Sequence, residues 1–132
     1  MAGRRGGVVP DRVRLRHMLD AAQDAVRYCR DRQREDLDAD SMLLRAVVQA
    51  VQSIGEAAAR TTDEGRARAP DLPWTQIVGM RHILVHVYYD IDAEAVWRVV
   101  QDDLPALVRE ISEALAAWPE PPAGGEGVQP TT

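Results

Sequence analysis

Residues 38–58 read DADSMLLRAVVQAVQSIGEAA, and their periodicity decides the fold. Met42, Leu43, Ala46, Val47, Ala50, Val51, Ile54 and Ala58 recur at steps of three and four, the spacing that gathers side chains on one face of an α-helix. Arg45, Gln49, Gln52 and Glu56 fall between them as polar positions, and Asp40 or Asp38 offers a carboxylate to cap the first turn. The same spacing returns upstream, where Leu15, Met18, Leu19, Ala22, Ala25, Val26 and Cys29 predict an amphipathic helix from Asp11 to about Arg32. Downstream, a third helix is expected from Trp74 to about His86 or Val87, with Ile77, Met80, Leu84 and Val87 as its core stripe and Ile83 in a second row. Asp90-Ile91-Asp92 then turns the chain, and Asp92 caps a short helix through Val96, Trp97, Val99 and Val100. Pro105 fits only a first turn, which sets a last helix from Asp102 or Asp103 to Trp118. Residues 61–73 carry Gly65, Pro70 and Pro73 and read as a connection. No strand-like alternation, hairpin signal or internal repeat competes. The expected fold is all-α, an up-and-down bundle of four to five helices.

A chain of 132 residues is long enough for one core. The helical domain is expected over residues 11–118, between a Gly- and Arg-containing N-terminal tail (1–10) and a Pro- and Gly-rich, flexible C-terminal tail (119–132). No apolar run approaches a membrane span, and the basic start lacks the apolar stretch of a secretory signal, so a cytoplasmic protein without membrane attachment is expected. Cys29 stands alone, which excludes an internal disulfide and makes it a buried helix residue. The formal net charge of −5 argues against a broad nucleic-acid-binding surface, so any such contact is local. All 16 basic residues are Arg, and Arg4, Arg5, Arg12, Arg14 and Arg16 cluster early, as a solvated tail and helix face or as a contact for RNA.

Chemistry concentrates in residues 79–92, GMRHILVHVYYDID. Arg81, His82, His86 and Tyr88 place a permanent cation, two groups that titrate near neutrality and a phenol within one short stretch. A planar guanidinium suits phosphate oxygens, and His is the usual acid or base at physiological pH, so the set suggests phosphate chemistry. On a regular helix His82 and His86 share a face, whereas positions 81 and 86 lie roughly 140° apart, and the long Arg81 side chain must swing to join them. His82 and His86 could be two metal ligands, but no neighbouring carboxylate pattern completes a site, so no metal and no cofactor is expected.

The order Arg-x4-His-x-Tyr at Arg81, His86 and Tyr88 is flanked by Trp74, Ile77-Val78-Gly79-Met80, Ile91-Asp92 and Val96-Trp97. Ile54-Gly55-Glu56-Ala57-Ala58 precedes it and Asp103-Leu104-Pro105 follows. Taken together these words, across roughly residues 11–117, resemble the HepT-like toxins of the HEPN superfamily, small all-helical ribonucleases. The resemblance implies a HEPN-type bundle that forms a homodimer, two copies of the motif meeting in one composite cleft. It implies metal-independent cleavage of RNA by 2′-hydroxyl attack, with His86 as general acid or base and Arg81 offsetting charge on the phosphorus oxygens. His82 stands where the family usually carries a polar residue and would bind substrate or support Arg81. Tyr88 would be adenylylated by a cognate MntA-like minimal nucleotidyltransferase, the antitoxin of a type II or VII pair. An alternative keeps the same partner but makes the chain a non-catalytic helical module that binds the nucleotidyltransferase. Gly55 is expected to permit close helix packing, Trp74 and Trp97 to anchor the core, and Glu56 to face the site or form a surface pair.

Overall fold

The computed structural model describes residues 9–82 and 92–119, and among these residues every regular element is helical. Helix α1 spans Asp11–Tyr28, α2 Asp36–Ala39, α3 Ser41–Ala59, α4 Asp63–Arg68, α5 Trp74–Gly79, α6 Ala93–Arg98 and α7 Leu104–Ala116. The all-α bundle is therefore as the periodicity requires.

Helix α1 packs against α3 and α7, and α5 lies against α3. The start of α1 meets the end of α3, where Asp11 accepts hydrogen bonds from Thr62 N (3.0 Å) and Thr62 Oγ1 (2.6 Å), so α1 and α3 run antiparallel. Leu15, Met18 and Ala22 of α1, Val47, Val51 and Ile54 of α3, and Leu104, Leu107 and Ile111 of α7 meet in one core. Trp74 and Trp97 are half-buried against it, as anchors rather than exposed stacking surfaces. Trp74 also donates from Nε1 to Ala69 O at 2.9 Å, fixing the entry to α5.

Several boundaries differ from the sequence expectation, and the short helix α2 was not expected at all. Helix α1 stops at Tyr28 rather than Arg32, because Asp31 takes a left-handed backbone conformation (φ 62°) that helical geometry excludes. The expected connection at 61–73 contains α4, whose N-cap Thr62 accepts from Gly65 N at 3.0 Å. Helix α5 ends at Gly79 instead of continuing to His86, and Met80, Arg81 and His82 are held by backbone bonds to the residue three before. Ile83, Leu84, His86, Val87, Tyr88 and Tyr89 lie outside the described residues.

Met42, assigned by periodicity to the buried face of α3, is 79% exposed. Leu43 in the same turn is buried, so the cause is angular: at about 100° per residue Met42 lies roughly 150° from the Val47, Val51 and Ile54 stripe, in a first turn where Asp40 caps Met42 N and Leu43 N at 3.1 Å. Asp92 does cap α6, accepting from Ala95 N at 3.0 Å. Helix α6 then runs without a break through a π-helical turn, Val99–Asp103, into α7, with Pro105 in the first turn of α7.

Candidate functional site at the end of α5

The seat of Arg81 is built from two elements. Ile77 and Met80 are buried and fix the end of α5 against the core. Across from them, Gly55 of α3 presents no side chain, and the backbone of Arg81 occupies that space. A Cβ on Gly55 would lie 2.5 Å from Arg81 N and 2.9 Å from Arg81 Cβ, closer than real Cβ atoms come. The glycine expected to permit close packing thus positions the arginine itself. Gly79, two residues earlier on α5, has open space where its Cβ would be, so only one of the two glycines is required sterically.

Arg81 is half-buried, and Nε is shielded from solvent with no hydrogen-bond partner among the described residues. The ion pairs among those residues, Arg27–Asp24, Arg32–Asp40, Arg34–Asp38 and Arg34–Glu94, leave Arg81 without a carboxylate. Among the described residues no carboxylate therefore competes with an anion from outside for this guanidinium, whose planar fork matches phosphate oxygens. His82, the next residue in the turn, is exposed. Arg81 and His82 are therefore brought together at one helix end, while His86 and Tyr88 lie outside the described residues. Among the described residues no group of three His, Cys, Asp or Glu side chains is placed to hold a metal ion.

A partly buried acid lies beside the same end of α5. In the π-helical turn Asp103 lines an open cavity of about 200 Å³ with Gln76, Ile77, Met80 and Glu110, and partial burial followed by repulsion from Asp102 raises its pKa above the ordinary carboxylate value. Burial also raises the pKa of the Cys29 thiol, against a smaller opposing effect of Arg32, which leaves it an unreactive packing group. No described helix is long and apolar enough to cross a membrane.

The bundle thus holds at a helix end, against a glycine of the neighbouring helix, an arginine that has no carboxylate partner among the described residues. The model of the family described as Ribonuclease HepT-like matches residues 18–114, and the chain belongs to that family, within the HEPN superfamily. It is 32% identical over 97 residues to "Putative RNase MJ1380" of Methanocaldococcus jannaschii, covering 74% of this chain and 89% of that one. It is 30% identical over 101 residues to "Putative RNase TTE0752" of Caldanaerobacter subterraneus subsp. tengcongensis, covering 76% and 90%. Against "Probable ribonuclease HepT" of Thermococcus cleftensis the identity is 33% over 73 residues, covering 55% and 66%. No solved structure matches the chain.

Proposed function

We propose that the chain is the toxin of a toxin–antitoxin pair and cleaves RNA as a metal-independent endoribonuclease, with Arg81 and His86 as its catalytic residues. The observation that carries this reading is the half-buried Arg81 held on the Gly55 seat, without a carboxylate partner among the described residues. In the reaction the ribose 2′-oxygen attacks the adjacent phosphorus and the bond to the 5′-oxygen breaks, leaving a 2′,3′-cyclic phosphate and a 5′-hydroxyl. His86 takes the 2′-hydroxyl proton or returns one to the leaving oxygen, a role that contributes about 10²- to 10⁴-fold. Arg81 offsets the negative charge that grows on the non-bridging oxygens. His82, exposed beside it, binds the strand or supports Arg81. Two copies of the chain form a homodimer and contribute both pairs to one cleft. Tyr88 is the point of control: its phenolic oxygen attacks the α-phosphorus of ATP on an MntA-like nucleotidyltransferase, pyrophosphate leaves, and the bound AMP competes with RNA phosphate for Arg81.

The test is cleavage of a defined RNA in EDTA by protein expressed without a partner, with His86→Ala alongside. Products ending in cyclic phosphate, lost in the variant, are expected. Equal cleavage by both proteins would remove His86 from the chemistry.

A further inference from the structure

A second cationic cleft lies between α1 and the end of α3. Arg14 and His17 line it from α1, and Ser53, Glu56, Ala57 and Arg60 from α3 and its C-cap, around an open volume of about 390 Å³. That size falls within the roughly 300–1,000 Å³ of small-molecule sites. Ser53, Glu56, Ala57 and Arg60 follow at i, i+3, i+4 and i+7 and share one face of α3. Gly55, which faces Arg81, points roughly 150° away from that face at about 100° per residue. The cleft is therefore separate from the Arg81 seat.

Its charges are uncommitted. Neither Arg14 nor Arg60 pairs with a carboxylate among the described residues, and Glu56, which sequence left between a site role and a surface pair, has no ion-pair partner there either. Arg14 Nε is shielded from solvent and has no acceptor among the described residues. Asp11, one turn before Arg14, is the carboxylate best placed along α1 to neutralise it, and it is held instead by Thr62. The Ser53 hydroxyl donates to Gln49 O at 2.9 Å, so the donors left for a ligand are chiefly the two guanidinium groups. In a chain of net charge −5, two arginines against one glutamate make a local cationic focus.

We infer that this cleft is a second phosphodiester-binding site, which grips the backbone of a single-stranded RNA away from the cleaved bond. The inference rests on the ribonuclease reading above for its choice of RNA. Arg14 and Arg60 take phosphate oxygens, and Glu56 limits the affinity by like-charge repulsion. A strand long enough to reach both faces of α3 gains affinity from the cleft, and a dinucleotide gains none.

The experiment measures binding of a labelled single-stranded RNA by fluorescence anisotropy across a salt series, beside cleavage of that RNA and of a dinucleotide. The Arg14→Gln, Arg60→Gln double variant is expected to bind the long RNA about ten-fold more weakly, and to lose about 1.4 from the slope of log K against log salt, as two missing phosphate contacts require. Its dinucleotide cleavage stays at the wild-type rate, which also establishes that it is folded. Glu56→Gln, which removes no cation, is expected to bind the long RNA about three-fold more tightly. An unchanged affinity and slope in the double variant, with wild-type RNA cleavage intact, overturns the second site alone. Inorganic phosphate bound in the cleft while RNA affinity ignores both arginines makes it a small-anion site and also overturns the proposal. A wild-type protein that neither binds nor cleaves RNA overturns the ribonuclease reading and this inference with it.

Discussion

Arg81 and Gly55 are 26 positions apart in the chain and in steric contact in the fold. Sequence alone singled out Arg81 through its company of His82, His86 and Tyr88, and expected of Gly55 only that it lets helices pack closely. What packs there is the backbone of the candidate catalytic residue, a fact that needs coordinates because periodicity ranks faces and does not say what fills them. Gly55→Ala is accordingly expected to lower stability by about 1–3 kcal/mol, the usual cost of overpacking, and a displacement of Arg81 by about 1 Å would lower RNA cleavage about 10²-fold. Gly79→Ala, with open space at its Cβ, is the matched control. Urea unfolding and cleavage rates of both variants check this; equal stability and activity for Gly55→Ala and wild type would refute the seat. Arg14 was legible only as part of the early arginine cluster, a solvated helix face or a contact for RNA, and its sharing of a cleft with His17 and the end of α3 was not, because nothing along α1 marks which partner helix its polar edge meets.

At the scale of elements, the long periodic helices were readable and their ends were not. The stripes of α1, α3 and α7 follow directly from residues at three and four. Left-handed Asp31, the Thr62 cap and the stop of α5 at Gly79 depend on single backbone conformations that Gly, Pro and charge patterns do not fix. Asp40, by contrast, was readable as a cap, and it satisfies two otherwise free N–H groups of α3. Asp40→Ala is expected to cost about 0.5–2 kcal/mol in urea unfolding; an unchanged midpoint would show that water replaces the cap at no cost. The π-helical turn Val99–Asp103 was not foreseen, since a π turn changes the phase of a helix without breaking it. Because α7 continues from that turn, Asp103 finds no free helix N-terminus to stabilise its charge, and partial burial raises its pKa above the ordinary value of 3.8. The folded state thus binds this proton more tightly than the unfolded chain. The stability gained from protonation is present in full below the ordinary pKa and is lost as pH rises through the folded value. Asp103→Asn should therefore raise Tm at pH 7, with the difference shrinking as pH falls toward 3.8; a gap that persists at low pH would assign the effect to packing.

For the whole molecule, the balance of charge shapes how it can meet RNA. A net charge of −5 repels a polyanion at long range, so recognition falls to a few arginines freed from carboxylates. Arg34 illustrates the contrast: it is committed to Glu94 (2.8 Å) and Asp38 (3.1 Å), tying the segment between α1 and α3 to α6, and its pKa is raised chiefly by the hydrogen bond to Glu94. Arg81, Arg14 and Arg60 have no such commitment among the described residues. The family was legible from the words around Arg81, and the bundle from its helical stripes; the division of arginines into structural and available ones required the fold. The most direct measurement of the central claim is the single-turnover rate of RNA cleavage by Arg81→Ala and Arg81→Lys, each with its unfolding midpoint. The account predicts a loss of about 10²- to 10³-fold in Arg81→Ala at unchanged stability, only partly restored by Lys, whose point charge lacks the planar fork. Cleavage by folded Arg81→Ala at the wild-type rate would contradict it.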